Sequence, residues 1–110
     1  MKDNKEILKH YLHALLWTEG LDGNRDIEEI KGKNLEKCQA DVNMFIEKAG
    51  TLLNELSEEQ IGHDFWLSRN GYGAGFFDRG LGEIGDKLQE LSRTFKGVDV
   101  FADSDLIIIE

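Results

Sequence analysis

The run Ser57-Glu58-Glu59-Gln60-Ile61-Gly62-His63-Asp64-Phe65-Trp66-Leu67-Ser68-Arg69-Asn70-Gly71-Tyr72-Gly73-Ala74-Gly75-Phe76-Phe77-Asp78-Arg79-Gly80 holds a helix start, a helix body and a sharp change of character in one stretch. Ser57 followed by Glu58, Glu59 and Gln60 is a capping-box pattern, in which the serine hydroxyl accepts an early amide and Gln60 reaches back. It predicts a helix over Glu58 to Ser68 with Ile61 and Phe65 turned inward and Trp66 at the margin of that face. Glycines then become dense. Glycine at that density is entropically costly unless positive backbone angles or close approach require it, so Asn70 to Gly75 is expected to be a specific, shaped loop.

Working outward, Phe76 to Arg79 leads into a further helix whose apolar side is Ile84, Leu88, Leu91 and Phe95, with Gly97 as its stop. Upstream, Asn34 is a good cap for a helix reaching about Leu56. Its buried stripe is Leu35, Cys38, Val42, Phe45, Ile46, Ala49, Leu52, Leu53 and Leu56, and Gly50 is placed to bend or split it. The first helix runs from about Lys2 to Thr18, with Ile7, Leu8, Tyr11, Leu12, Leu15 and Leu16 at helical spacing. Gly20 to Asn34 is an acidic connection with room for one helical turn. After Gly97 the pattern alternates through Val98, Val100 and Ala102, turns at Asp103-Ser104-Asp105 and resumes over Leu106 to Ile109, which predicts a terminal β-hairpin. The expected fold is mainly α (α+β): a compact bundle of about four helices with a C-terminal β-hairpin, one globular domain over 1-110.

Length and composition agree with that reading. The chain has 110 residues, enough for one hydrophobic core and too few for two ordinary domains, and 40% of them are hydrophobic. The 22 acidic against 13 basic residues give a formal net charge of -9, which argues against direct nucleic-acid or anionic-membrane binding and for a protein partner with a basic surface. The tail carries Asp99, Asp103, Asp105 and Glu110 and no basic residue after Lys96. A solubility charge is the plainer explanation of the same excess. The single cysteine, Cys38, excludes an internal disulfide and sits on an apolar helix stripe as core filler. The amino terminus has mixed charges and no apolar run, so a cytoplasmic protein is expected.

The stretch from His63 to Gly80 resembles a block carried by small proteins of tailed bacteriophages and related mobile elements, of the form His-Asp-Phe-Trp-Leu-Thr-Arg-Asn-Gly-His-Gly-Ala-Gly-Phe-Trp-Asp-Arg-Gly. The likeness continues through Leu81-Gly82-Glu83-Ile84-Gly85-Asp86-Lys87-Leu88, and Val98-Asp99-Val100-Phe101 with Asp103 and Asp105 looks like that family's short acidic hairpin. It covers somewhat under half the chain and departs at Ser68, Tyr72 and Phe77. The family has no assigned activity. The resemblance therefore implies a phage-like origin and a shared fold, and it transfers no catalytic residue.

Candidate ligand or partner residues are His63, Asp64, Arg69, Asn70, Tyr72, Asp78 and Arg79. Imidazole and carboxylate in His63, Asp64 and Asp78 supply metal ligands or a base with its orienter. No paired-histidine helix motif or calcium-loop spacing accompanies them, and Tyr72 stands where the related block has a second histidine, so no metal centre and no cofactor are expected. Arg69 and Arg79 are forks for a phosphate or carboxylate, with Asp64 and Asp78 as their expected internal partners. Gly71 to Gly75 lacks the strand-loop-helix setting and the lysine-serine ending of a phosphate loop. The serines show no nucleophile elbow. Of the aromatics, Tyr72 and Trp66 are expected at the surface and most of the rest in the core.

Two functions follow from these residues. One is a noncatalytic protein-binding factor acting through an acidic surface, with inhibition or DNA mimicry as special cases; the other is a small-ligand or enzymatic site around the glycine-rich loop. A structural or assembly subunit would need a large exposed apolar face.

Overall fold

A computed structural model describes residues 2–104 and 106–110. Four helices, α1 (Asn4–Thr18), α2 (Lys33–Ala49), α3 (Glu58–Arg69) and α4 (Glu83–Arg93), precede a two-stranded antiparallel hairpin of β1 (Val100–Ala102) and β2 (Ile107–Ile109). Short 3-10 turns over Ile27–Glu29, Gly50–Leu53 and Phe76–Asp78 join them. The expected mainly helical architecture with a terminal hairpin is the one observed.

α1 starts later than its apolar pattern suggested, because Asp3 caps it. The Asp3 carboxylate accepts from Lys5 N at 3.0 Å and Glu6 N at 3.3 Å. α2 begins at Lys33 behind Gly32, whose φ of 60° an L-residue adopts only with strain. Asn34 is therefore no cap. Its side-chain oxygen accepts instead from Ile109 N at 2.9 Å and so ties α2 to β2. Gly50, at φ 53°, splits the second apolar run, so α2 stops at Ala49 and the rest of the stripe continues as a 3-10 turn. Ser57 caps α3 by accepting from Gln60 N at 3.1 Å, and among the described residues only this half of the capping box forms.

The main helix pair is α1 against α3, and Gly62 makes it close: a Cβ there would stand 2.8 Å from Tyr11 N and nearer still to Ile7 O. Behind that seam lies an aromatic core of Tyr11, Phe45, Phe65, Trp66 and Phe76, with Phe45 and Phe65 stacked at 4.1 Å and Phe95 edge-on to Phe65 at 5.1 Å. α2 packs against α1, α4 and β2. Cys38 is buried as expected, and burial pushes its thiol up to about 12.

Four aromatic or apolar assignments change. Trp66 is fully buried, because its indole N–H donates to Thr18 Oγ1 at 2.7 Å and satisfies the one polar atom that would have held it at the surface. Trp17 and Phe77, expected in the core with most of the aromatics, are instead 56% and 46% exposed. Ile84 is 40% exposed, since Gly85 brings α4 so near the Phe76 carbonyl that the inward face runs through Gly85, Leu88 and Ser92. The left-handed residue after α4 is Lys96, at φ 64°, one position before the glycine expected to stop the helix.

Candidate functional site

α3 and the loop after it place the sequence candidates in two separate groups. The first gathers on Arg69, which is 6% exposed and donates from all three guanidinium nitrogens. Nη1 donates to Asp41 Oδ2 at 2.8 Å and to the Tyr11 hydroxyl at 3.1 Å, Nε to Lys96 O at 2.8 Å, and Nη2 to Phe95 O at 2.8 Å. Its plane lies over the rings of Phe65 and Phe95 at 5.5 and 5.6 Å. The expected partners of Arg69 were Asp64 and Asp78; the carboxylate that meets it is Asp41, from α2. Burial raises the Tyr11 hydroxyl well above its usual range although Arg69 opposes the shift, so it stays a neutral acceptor. Asn70 belongs to the same cluster: its amide donates to Trp66 O at 2.8 Å and its oxygen accepts from Val98 N at 2.8 Å.

The second group is the Asp64–Arg79 pair. Asp64 is fully buried and accepts a fork from Arg79, at 3.2 and 3.1 Å from Nε and 2.8 Å from Nη2. Those hydrogen bonds raise the Arg79 guanidinium above its ordinary value. Asp78 accepts from Gly75 N at 3.1 Å and lies 3.9 Å from Arg79 Nε. Gly75, at φ 137°, is required, because a Cβ would fall on Ser68 Oγ, which accepts from Phe76 N at 3.2 Å. The loop is thus built from its own polar groups, with Tyr72 exposed at its tip.

His63 departs from this pattern. Its Nδ1 lies 3.7 Å from Asp64 Oδ1, beyond a hydrogen bond, and its ring stacks on Trp17 at 5.5 Å. A cleft of about 530 Å³ opens there, lined by Ser57, Glu59, Gln60, His63, Asp64 and Arg79. Beside it a second depression of about 390 Å³ is bordered by His10, His13, Trp17, Asp22, Glu59 and His63, so all three histidines of the chain face one trench along the α1–α3 seam. Among the described residues no group of three His, Cys, Asp or Glu side chains is placed to hold a metal ion. In the tail, Asp99, Asp103 and Glu110 are exposed, and Asp105 lies outside the described residues.

Two features went unnoticed in the sequence. Asp41 lies three residues after Cys38 and four before Phe45, on the margin of the buried α2 stripe, where a carboxylate needs a donor or cation from elsewhere in the fold, although nothing local says which. Convergence of the histidines depends on how α1 docks on α3 and has no local signal. Comparison with protein-family models, with curated proteins and with solved structures finds no match. No helix is long and apolar enough to cross a membrane among the described residues.

Proposed function

We propose that this chain is a noncatalytic protein-binding factor of phage or mobile-element type, acting in a host-cell cytoplasm on a partner with a basic surface. The observation that carries the reading is the disposition of the arginines. Three of the four, Arg25, Arg69 and Arg79, are engaged with Glu29, Asp41 and Asp64, and Arg25 and Arg69 also with main-chain carbonyls. The planar forks best suited to phosphate or carboxylate ligands are committed to partners within the molecule, Arg69 buried and Arg25 and Arg79 nearer the surface, while Asp99, Asp103 and Glu110 stand exposed in a tail without a basic residue. A surface of that sign attracts and steers a cationic partner.

Affinity capture from a bacterial host lysate, eluted with a salt gradient, tests it. The expected result is a basic protein that is released as ionic strength rises and the carboxylates are screened. Recovery of nothing, or of a partner indifferent to salt, overturns the reading. Where the captured protein binds DNA, competition by duplex DNA identifies mimicry.

A small-ligand site is the second reading, favoured by the cleft in which His63 stands beside the Asp64–Arg79 pair. Chemical-shift changes confined to His63, Gln60 and Arg79 on adding small metabolites would support it.

A further inference from the structure

Among the described residues no hydrogen bond is made to the outer side of β1 in the hairpin. Asp99 O accepts from Glu110 N and Asp103 N donates to Leu106 O, each at 2.8 Å, and the register pairs Val100 with Ile109, Phe101 with Ile108 and Ala102 with Ile107. In an antiparallel ladder, hydrogen-bonded pairs alternate with pairs whose main-chain groups point away from each other. The inward pairs are therefore 99 with 110, 101 with 108 and 103 with 106. Val100 and Ala102 direct their N–H and C=O groups outward from β1, and Ile107 and Ile109 do the same from β2. The β2 side is closed: Ile109 N donates to Asn34 Oδ1, Ile107 and Ile109 are buried, and α2 lies against the strand. On the β1 side Ala102 is exposed and Phe101 is 53% exposed.

We propose that β1 is a docking edge for an extended, lysine- or arginine-bearing segment of a protein partner, added as a third strand. This rests on the acidic-exterior reading above and assigns it a place and a mode. Main-chain bonding to Val100 and Ala102 holds such a segment, an apolar residue covers Phe101, and flanking cations meet Asp99, Asp103 and Glu110. The same carboxylates disfavour a second copy of this chain, because two β1 edges laid side by side bring like-charged tails together.

The probe is a fluorescein-labelled peptide of about seven residues alternating lysine and valine, a length near that of an ordinary strand, compared by anisotropy with its glutamate–valine counterpart. Only the lysine peptide should bind, and binding should weaken with salt. Ala102→Pro removes one outward N–H and leaves the Phe101–Ile108 bonds intact, a substitution edge strands accept. It should weaken the lysine peptide by about tenfold, the worth of a lost main-chain hydrogen bond together with the clash. Amide exchange on the parent chain gives a second measure: Val100 and Ala102 exchange quickly alone and are protected with peptide bound. Equal binding by parent and Ala102→Pro, or absence of that protection, refutes the edge while leaving general attraction to basic partners standing. Absence of any binding by the lysine peptide refutes the edge as well. A doubled solution mass abolished by Ala102→Pro would make a second copy the occupant and overturn the assignment.

Discussion

Replacing Gly62 by alanine sets two general rules against each other. Alanine is the better helix former by about 1 kcal/mol in a helix interior, so by propensity alone the substitution stabilises α3. Packing gives the opposite sign. The added methyl would lie 2.8 Å from Tyr11 N, 3.0 Å from His10 Cβ and closer still to Ile7 O, and the nearest two atoms are main chain of α1, unable to rotate aside. An unstrained carbon–oxygen contact needs about 3.3 Å, so α1 must retreat by roughly 1 Å. That retreat loosens the seam where Ile7, Tyr11 and Leu15 meet the core around Ile61, Phe65 and Trp66. Overpacking that shifts backbone costs about 1–3 kcal/mol, and the centre of the principal helix pair belongs at the upper end. Subtracting the propensity gain leaves a net loss of about 2 kcal/mol. With a urea slope of about 1.5 kcal/mol/M, the unfolding midpoint followed by circular dichroism should fall by about 1.3 M. Gly23→Ala, which meets nothing within 4 Å, is the control and should stay near the parent. A Gly62→Ala midpoint equal to or above the parent's would refute the close main-chain contact between α1 and α3.

Arg69→Met should destabilise the fold by about 3–5 kcal/mol in the same denaturation assay, because it leaves Asp41 and the Phe95 and Lys96 carbonyls without their donor; a loss under about 1 kcal/mol would show the cluster to be incidental. The Cys38 thiol, held up to about 12 by burial, keeps its proton in the folded state over a range where the unfolded chain, near the ordinary 9.0, loses it. Its contribution to stability is therefore complete below about pH 9 and declines as pH rises from there towards 12, and Cys38→Ser should flatten that part of a stability–pH curve. Iodoacetamide should modify Cys38 slowly in the native protein at pH 9 and rapidly in urea. Lys96→Gly should stabilise by about 0.5–1 kcal/mol, since a left-handed L-residue costs about 1–2 kcal/mol and glycine returns part of that as unfolded-state freedom; an unchanged midpoint would count against the left-handed assignment.

Helical periodicity in Ile7 to Leu16 and the serine cap at Ser57 act locally, and α1 and α3 follow from them with shifts of a residue or two. The turn at Asp103-Ser104 and the alternation around it likewise placed the hairpin. Ile84 and Trp66 were misassigned for a different kind of reason. Whether an apolar side chain on a helix margin is buried depends on the neighbour, and here a close approach at Gly85 and a hydroxyl at Thr18 settled the two cases. Asn34 failed as a cap because Gly32, at positive φ, starts the helix at Lys33, and the Asn34 oxygen then accepts from Ile109 N. The candidate residues around the glycine loop stood out by composition, but their partners came from α2, from the segment after α4 and from the loop itself. Ion pairing across 28 residues, as between Asp41 and Arg69, has no sequence spacing to reveal it.

The same polar residues explain how a three-residue strand pair can be held in a defined place. An isolated hairpin of that length is marginal in water. Here Arg69 grips the Phe95 and Lys96 carbonyls and Asn70 accepts from Val98 N, fixing the entry to β1. Arg25, itself paired with Glu29, donates to the Asp103 and Leu106 carbonyls and fixes the turn, while Asn34 fixes β2. Each anchor sits on the turn, on β2 or before β1, and none of these bonds uses the outward groups of Val100 and Ala102. Ordering the hairpin from behind in this way would remove much of the entropic cost that a flexible tail meets on docking, which is what the proposed strand addition at β1 requires. The glycine-rich block and the acidic tail are then parts of one device, in which the block's arginine and asparagine set the position of the tail.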